Sequence, residues 1–458
     1  MALLLPTAVP YPICYLGAAK AGLVTAGINT RFREREVGHI LDNSGASAVV
    51  TTDEFLPMVE AVRPETLRHV VSPEEVLAGT ADPPAVHDDE DRAVAIVYTS
   101  GTTGRPKGAT YCGRNIEAIR RIDAASSSGH SPSQVAAIPL AHMGFMSRIG
   151  ANIRRRARTV LTRRWTARAT LEAIEREKLT VLGGIPTQLA LMMLDPELDR
   201  FDLSSLRACA MGGGPSTPEL VRRIRETFGV PVIVRYSCTE LGLGTATKAG
   251  DPDDVVANTV GRALPEVDLQ VLEANSDGVG EIAIRSPAMM AGYWREPEMT
   301  RAAVDEGGFF HTGDLGRLDP EGNLRLSGRT KEMYIRGGYN VYPVEVENVL
   351  AEHPKVALAA VIGVPDEVFG ERGTAFVVPA NAADLPTQEE LRTFVAERIA
   401  DYKAPDNVVL RGELPMTSMF KVDKRALEAE LLGGGTDLDV VAGAEPDRLE
   451  RELDRPGR

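Results

Sequence analysis

The sequence contains few cysteines and no excess of positive charge. Its four cysteines, Cys14, Cys112, Cys209 and Cys238, are scattered without the short spacings of a metal site. Such cysteines are typical of free thiols in a reducing compartment, so we expect a cytoplasmic protein. The formal net charge of −14 argues against nucleic acid or an anionic membrane as the principal partner.

The apolar stretch at residues 1–24 lacks the basic leading segment of a secretory signal, and it is interrupted by prolines at positions 6, 10 and 12. We therefore predict an internal strand over 2–5 and a helix over 11–21. We expect no membrane span.

The order of the sequence patterns predicts an α/β protein with two domains. Strand-like and helical segments alternate through the first half, as in layered α/β folds. Alternating polarity over 268–284, interrupted by an Asn-Ser-Asp-Gly turn signal, predicts a β-rich section. We place a large N-terminal domain at 1–330 and a small mobile α+β domain at 331–432. Glycine repeats and alternating charges predict a disordered tail over 433–458.

Individual elements follow from periodicity and from proline and glycine positions. Residues 64–91 are rich in proline and charge and are interpreted as a connecting segment, and residues 125–132 as a loop. The predicted helices cover 34–44, 166–178, 343–352 and 387–399, and the predicted strands cover 48–51, 93–97, 181–184, 357–364 and 374–378.

The segment Tyr98-Thr-Ser-Gly-Thr-Thr-Gly-Arg-Pro-Lys-Gly108 follows a predicted strand and has the composition of a phosphate-binding loop. Its glycines permit backbone conformations in which successive N–H groups point towards an anion. Its serine and threonine hydroxyls add donors, and Lys107 adds a positive charge. No acidic residue occurs between positions 94 and 116 of this acidic chain. The residues expected to contact phosphate are Thr99, Ser100, Gly101, Thr102, Thr103, Gly104 and Lys107.

This segment is not a Walker loop, because Lys107 is preceded by Pro106 and followed by Gly108 rather than by Ser or Thr. It resembles the signature loop of the AMP-forming adenylating enzymes, the superfamily of acyl-CoA synthetases, adenylation domains and luciferases. A flexible surface linker is the alternative interpretation. Chains of this superfamily normally carry several elements before the first strand seen here, so we expect either that the start of the sequence is misassigned or that the first subdomain is shortened.

A second segment of the resemblance, Tyr236-Ser-Cys-Thr-Glu240, follows a predicted strand at 232–235. Ligands of open α/β sheets bind at the carboxyl ends of strands. The resemblance implies that Tyr236 stacks on adenine, Thr239 hydrogen-bonds the α-phosphate and Glu240 holds Mg²⁺, which prefers carboxylate and phosphate oxygens. By itself the segment is more typical of a structural turn.

The segment Met211-Gly-Gly-Gly-Pro215 follows another apolar strand, and its glycines permit close approach to a planar ring. The resemblance places it beside the adenine and the acyl group, whereas a tight turn is the alternative. His142 matches a residue that borders the acyl pocket, although a core or surface histidine is nearly as common. The residues assigned to the adenine flank are Gly212, Gly213, Gly214 and Pro215.

Two further segments resemble the superfamily around the predicted domain boundary. Within His311-Thr-Gly-Asp314, Asp314 matches the carboxylate that binds ribose. Within Gly328-Arg329-Thr-Lys-Glu332, Arg329 matches an assisting residue and Lys331 matches the hinge about which the C-terminal domain rotates. Without the resemblance, these segments would be interpreted as a β-turn and a charged surface strand.

The C-terminal domain contains two more matching segments. Gly337 and Gly338 match a loop that faces the active site during thioester formation, and Lys421 matches the catalytic lysine that contacts the carboxylate and the α-phosphate. A glycine normally precedes this lysine, but Phe420 stands here. Because phenylalanine does not readily adopt positive φ, we expect the geometry of this loop, or the substrate, to differ.

The resemblance extends over about residues 1–432 and implies an ATP-dependent, AMP-forming acid–thiol ligase that uses ATP, Mg²⁺ and coenzyme A. Its substrate is a small carboxylic acid, for which the glycines near the site favour a medium-chain or aromatic acid. The expected catalytic residues are Lys107, Thr239, Glu240 and Lys421. A homodimer is compatible with the resemblance. The alternatives are a carrier protein or another acceptor in place of coenzyme A, and a catalytically impaired nucleotide-binding homologue.

Overall fold

A computed structural model of the protein describes residues 1–79, 84–99, 105–125 and 132–432. The predicted loop at 125–132 falls largely, and the predicted tail at 433–458 entirely, outside the described residues. So do Ser100, Gly101, Thr102, Thr103 and Gly104 of the predicted phosphate loop.

The first part of the chain alternates between strands and helices, as predicted. Its elements are β1 (Ala2–Leu4), α1 (Pro10–Lys20), β2 (Thr25–Gly27), α2 (Glu34–Ser44), β3 (Ala48–Thr51), α3 (Leu56–Ala61), β4 (His69–Val71), α4 (Pro73–Leu77), β5 (Ala93–Thr99), β6 (Lys107–Cys112) and α5 (Gly113–Ala125).

A second α/β section follows. Its elements are β7 (Ser133–Val135), α6 (Met143–Met146), α7 (Ile149–Arg154), β8 (Arg158–Val160), α8 (Ala167–Glu177), β9 (Val181–Gly184), α9 (Pro186–Met193), β10 (Ala208–Gly212), α10 (Pro218–Phe228), β11 (Val232–Tyr236), β12 (Thr245–Ala246), α11 (Asp253–Asn258) and β13 (Arg262–Ala263).

The predicted β-rich section and the predicted small α+β module complete the described chain. The β-rich section contains β14 (Asp268–Leu272), β15 (Gly280–Arg285), β16 (Gly292–Tyr293), α12 (Pro297–Ala303), β17 (Phe310–Leu318) and β18 (Leu324–Arg329). The module contains β19 (Tyr334–Arg336), β20 (Tyr339–Val341), α13 (Pro343–Ala351), β21 (Val356–Asp366), β22 (Gly370–Pro379), α14 (Gln388–Ala396), β23 (Asn407–Leu410) and α15 (Lys424–Leu432).

Four main sheets organise these elements. A seven-stranded sheet has the order β16-β6-β5-β2-β1-β3-β4, and its strands from β5 to β4 are parallel. A five-stranded sheet has the order β13-β12-β11-β10-β9, in which β9, β10 and β11 are parallel. The β-rich section is an antiparallel sheet of order β14-β15-β17-β18. In the C-terminal module the order is β20-β19-β22-β21, and β23 pairs with β22.

Burial explains why the short apolar runs form strands. All three residues of β1 are fully buried, as expected for a strand in a parallel sheet that is covered on both faces. The apolar clusters of residues 2–324 are separate from those of residues 334–427, and this separation supports the proposed boundary near residue 330. No helix within the described ranges is long and apolar enough to cross a membrane.

The interpretation of residues 64–91 as a connecting segment was incomplete, because β4 and α4 lie within it. The Ser72 hydroxyl accepts a hydrogen bond from the Glu75 backbone, and the Glu75 carboxylate accepts one from the Ser72 backbone. This capping box begins α4, and Pro73 occupies its first turn. The Ser-Pro-Glu-Glu signal was present in the sequence but lay within a charged segment.

Gly242, two residues after Glu240, offers a test of how tightly the chain is packed at the carboxyl end of β11. Its φ is +69°, and a Cβ there would lie 2.3 Å from the backbone oxygen of Ala288. Gly229, at the end of α10, has φ +62° but nothing within 4 Å of the same position. We expect Gly229→Ala to lower the free energy of unfolding by about 1 kcal/mol, through backbone strain alone. We expect Gly242→Ala to lower it by about 2–4 kcal/mol, because the collision adds to the strain. Urea denaturation of both variants measures the difference, and equal losses would contradict the predicted collision.

Candidate active site

Parallel pairing of β9, β10 and β11 brings their carboxyl ends to one edge of the second sheet. A Cβ on Gly212 would lie 2.5 Å from the backbone oxygen of Arg235, and Gly213 has φ +80°. Both positions therefore require glycine. The Lys421 side chain passes 3.9 Å from the place that a Cβ on Gly214 would occupy, so a residue of the C-terminal module reaches this edge. Pro215 follows as an exposed residue.

Asp314 joins the second sheet to the β-rich section. Asp314 is buried, and its carboxylate accepts hydrogen bonds from the Tyr236 hydroxyl (2.7 Å) and from Nε of Arg329 (2.7 Å). Asp314 and Arg329 face each other across the β17–β18 pairing. Burial and the Asp314 charge raise the pKa of Tyr236, which stays a hydrogen-bond donor. Each carboxylate oxygen retains capacity for a further donor, such as a ribose hydroxyl.

Glu240 is held by Tyr293, a residue that the sequence analysis did not identify. The Tyr293 hydroxyl donates to Oε1 of Glu240 (3.0 Å), and Nζ of Lys107 lies 5.4 Å from the centre of the Tyr293 ring. Tyr293 therefore connects two residues that were predicted separately. It lies in the two-residue strand β16 beside β6, and so short a strand leaves no periodic signal in the sequence.

The backbone of the 239–240 turn is fixed from two further directions. The buried Tyr111 hydroxyl donates to the backbone oxygen of Thr239. The backbone N–H of Met290 donates to the backbone oxygen of Glu240 (2.8 Å). Tyr111 was also missed, because in the sequence it is one aromatic residue in an apolar strand.

The two ends of the predicted phosphate loop lie side by side. Thr99, the last residue of β5, pairs with Lys107, the first residue of β6. The His39 ring nitrogen Nε2 lies 2.9 Å from the backbone oxygen of Pro106, a contact that the sequence did not indicate. The phosphate contacts of residues 100–104 stay predictions, because these residues lie outside the described ranges.

Lys421 is an exposed residue of the proposed C-terminal module, and its side chain approaches Gly214 just beyond the carboxyl end of β10. Desolvation, followed by the positive charge of Arg329, lowers the pKa of Lys421, whereas Asp314 and Glu240 act in the opposite direction. These charges place Lys421 among the residues that the sequence analysis assigned to ATP.

His142 lies close to Lys421. Burial, and secondarily the charge of Lys421, lowers the pKa of His142 to about 4. Its Nδ1 accepts a hydrogen bond from the Gly144 backbone (3.2 Å) and caps α6, so the neutral ring carries its proton on Nε2. A neutral, fixed ring of this kind suits a pocket wall rather than proton transfer near neutral pH.

The structure corrects the expectation about Phe420. Its φ is +57°, so the backbone adopts the left-handed conformation that a glycine would adopt. The turn is closed by Thr417, whose backbone N–H donates to the Lys421 oxygen (2.7 Å) and whose backbone oxygen accepts from the Phe420 N–H (3.0 Å). Left-handed backbone costs a non-glycine residue about 1–2 kcal/mol. The loop before Lys421 therefore keeps a glycine-like geometry in spite of its phenylalanine.

The remaining predicted residues lie outside this cluster. Gly337 (φ +58°) and Gly338 (φ +87°) form the turn between β19 and β20, and the Gly337 N–H donates to the backbone oxygen of Phe369 in the same module. Lys331 is exposed in the turn between β18 and β19. Positive φ explains the need for both glycines.

A metal ion at this site would need ligand atoms from a bound substrate as well as from the protein. Among the described residues, no group of three or more His, Cys, Asp or Glu could hold a metal ion. Glu240 supplies one carboxylate beyond the carboxyl end of β11. A hard cation that keeps water and takes substrate phosphate oxygens, such as Mg²⁺, fits this single ligand.

Comparison with known proteins agrees with this geometry. Residues 1–294 match the family "AMP-binding enzyme", and residues 345–421 match "AMP-binding enzyme C-terminal domain". A long-chain-fatty-acid–CoA ligase of Mycobacterium tuberculosis is 32% identical over 446 residues, covering 94% of this chain and 88% of that protein. A fatty acid–acyl-carrier-protein ligase of Streptomyces coeruleorubidus is 33% identical over 441 residues, covering 91% and 84%.

A solved structure extends the similarity to the whole fold. The ATP-bound structure of MatB from Rhodopseudomonas palustris superposes with a TM-score of 0.84 at 27% identity, covering 93% of this chain and 87% of that chain. The large domain, the small C-terminal domain and the order of the sequence segments therefore have one common explanation. The chain belongs to the AMP-binding enzyme family, and it is an adenylate-forming ligase.

Proposed function

We propose that the protein is an AMP-forming acid–thiol ligase, which converts a carboxylic acid first to an acyl-adenylate and then to its coenzyme A thioester. The observation that carries this proposal is the position of Lys421, whose side chain approaches Gly214 beyond β10. Its pKa is lowered chiefly by desolvation and is also influenced by the charges of Arg329, Asp314 and Glu240. The site thus offers a cation, a carboxylate suited to a metal and a buried acceptor for ribose.

In the first half-reaction, a carboxylate oxygen of the acid attacks the α-phosphorus of ATP. The bond between the α-phosphorus and the oxygen that bridges the α- and β-phosphates breaks, and pyrophosphate leaves. Such a reaction needs positioning and charge neutralisation more than a protein nucleophile. Lys421 contacts the carboxylate and the α-phosphate, Thr239 donates to the α-phosphate, and Lys107 neutralises the departing phosphates.

The nucleotide is held by residues that the fold has already fixed. Tyr236 and Gly212 to Gly214 flank the adenine, while Asp314 and Arg329 bind the ribose. Glu240, oriented by Tyr293, would hold Mg²⁺, and the ion would supply further neutralisation of phosphate charge.

In the second half-reaction, the thiol sulfur attacks the acyl carbonyl carbon, AMP leaves, and the thiol proton is released. The module at 331–432 rotates about Lys331, which withdraws Lys421 and brings Gly337 and Gly338 to the acyl group. His142 borders the acyl pocket. Closure in each arrangement excludes water that would hydrolyse the adenylate.

The acceptor separates this proposal from its main alternative. The relative from Streptomyces coeruleorubidus is a ligase for acyl-carrier protein, so the same fold and site are compatible with a carrier protein as acceptor. Phe420 was one argument for the impaired-homologue alternative, and the glycine-like backbone of that residue removes this argument.

The proposal is tested by identifying the products from ATP, Mg²⁺ and a panel of fatty and aryl acids. Each acid is incubated with coenzyme A, with a phosphopantetheinylated carrier protein or with neither. We expect AMP together with an acyl-CoA, and loss of both in Lys421→Ala. Acylated carrier protein without acyl-CoA would replace this proposal by the alternative acceptor. No AMP with any acid or acceptor would contradict ligase function.

Tyr293→Phe tests the positioning of Glu240. Removing the hydroxyl leaves the carboxylate free to rotate, so we expect the Mg²⁺ concentration for half-maximal AMP formation to rise about 10-fold or more, as for other residues that orient a metal ligand. Tyr334→Phe is the matched control, because that buried hydroxyl has no hydrogen-bond partner among the described residues. Equal Mg²⁺ dependence of Tyr293→Phe and wild type would rule out the positioning role.

The pH dependence tests the state of Lys421. Its pKa is lowered from the usual 10.5, chiefly by desolvation, so its positive charge is lost at a lower pH than in an ordinary lysine. We therefore expect kcat/KM for ATP to fall on the alkaline side before pH 10.5. Modification of Lys421 by acetic anhydride, followed by mass spectrometry across pH, gives the pKa without turnover. An unshifted lysine titration would contradict this expectation.

A further inference from the structure

The loop that carries Lys421 is anchored to the large domain by the side chain before it. We propose that Phe420 is a positioning residue that inserts between Trp165 and Arg31, fixing Lys421 in the adenylate-forming arrangement, and that it must withdraw before the acyl group is transferred. This inference rests on the proposed function and identifies how this chain stabilises one of the two arrangements.

The ring of Phe420 is buried between two side chains that are distant in sequence. Its centre lies 5.4 Å from that of Trp165, with the rings at 66° in an edge-to-face contact. The Arg31 guanidinium carbon lies 4.7 Å from the centre of the Phe420 ring. Only 8% of Phe420 is exposed, although the residue belongs to a surface loop of the small module. Edge-to-face rings and a cation over a ring are both attractive arrangements.

The two partners come from separate parts of the large domain. Trp165 precedes α8, next to the Thr166 residue that caps this helix, and Arg31 follows β2. A weaker contact, Nδ2 of Asn29 at 4.0 Å from the Met419 sulfur, lies alongside. The loop therefore contacts both α/β sections of the large domain, and Phe420 is placed to resist its departure.

Charge favours an aromatic ring at this place. Arg31 is partly desolvated and lies near the positive charges of Arg164 and Arg33. A further cation would be unfavourable beside it, whereas the negative face of a phenyl ring is favourable. Phe420 thus contributes apolar contact and a favourable interaction with the Arg31 guanidinium, which lies near other positive charges.

The backbone conformation separates this role from simple loop closure. Glycine would adopt φ +57° without strain, so the turn itself has no need of a phenylalanine. Strained residues persist where the surroundings compensate for the strain, and here the compensation comes from the other domain. Replacing Phe420 by glycine therefore relaxes the loop and removes only the docking contacts.

The first test measures docking without turnover. The sequence contains two tryptophans, so Trp294→Phe leaves Trp165 as the single reporter. In this background we expect Phe420→Gly to raise the acrylamide quenching constant of Trp165 roughly twofold, because the ring no longer covers the indole edge. Phe394→Leu, which changes a C-terminal aromatic packed against His353, is the control and should leave quenching unchanged. Equal quenching in Phe420→Gly and its parent would overturn the proposal.

The second test separates the half-reactions in single-turnover experiments, using an acid that supports AMP formation. We expect Phe420→Gly to slow adenylate formation about 5–10-fold while transfer from preformed adenylate is unchanged or faster. Trp165→Leu should slow the first step similarly, and the double variant should be no slower than either single variant, because both remove one contact. Equal slowing of both steps, or additive effects, would indicate a structural role and overturn the proposal.

The two tests also distinguish this inference from the proposed function. If acids are adenylated but Trp165 is quenched equally in both proteins, the docking role is wrong and the ligase stands. If no acid is adenylated but quenching rises in Phe420→Gly, the docking contact is real and the ligase proposal fails.

Discussion

The buried carboxylate of Asp314 is the interaction on which the arrangement of the site most depends. It joins Tyr236 at the end of β11 to Arg329 at the end of β18, and so connects the second sheet to the β-rich section. The Arg329 side chain is half exposed, so solvent weakens this ion pair, whereas Asp314 is buried and would lose one of its two partners if Arg329 were removed. The same pair sets the local field, because Arg329 lowers and Asp314 raises the pKa of Lys421. Asp314 and Arg329 therefore contribute both to the stability of this edge of the sheet and to the electric field around Lys421.

Around this pair, aromatic hydroxyls fix the groups assigned to phosphate and metal. Tyr111 holds the backbone of Thr239, and Tyr293 holds the carboxylate of Glu240. Both tyrosines come from the first sheet, so residues of two sheets form the site, and the small module contributes Lys421. A site built in this way can exchange one C-terminal residue for another without losing the nucleotide. That property agrees with the proposed rotation of the module.

The sequence predicted most of the fold because local signals and burial agree. Helix α2 and strands β3 and β9 have the predicted bounds, and α2 ends at Gly45, whose φ of +62° suits glycine. Tyr293 and Tyr111 were missed because their hydrogen bonds join residues 53 and 128 positions apart. The loop geometry expected to differ at Phe420 is instead glycine-like, and the residue also contacts Trp165 and Arg31, which the sequence does not place near it. The expected difference in substrate stays a prediction. Local sequence patterns predicted which residues belong to the site, whereas contacts between residues distant in sequence determine how their side chains are oriented.

ATP–pyrophosphate exchange, without any thiol acceptor, tests most directly whether Lys421 and the residues at the carboxyl ends of β10 and β11 catalyse the formation of an acyl-adenylate. The assay follows labelled pyrophosphate into ATP in the presence of Mg²⁺ and each acid of the panel. The account predicts acid-dependent exchange that falls by about a hundredfold or more in Lys421→Ala, as expected when a group stabilising transition-state charge is removed. Acid-dependent exchange that persists unchanged in Lys421→Ala, or no exchange with any acid by a protein that binds ATP, would contradict it.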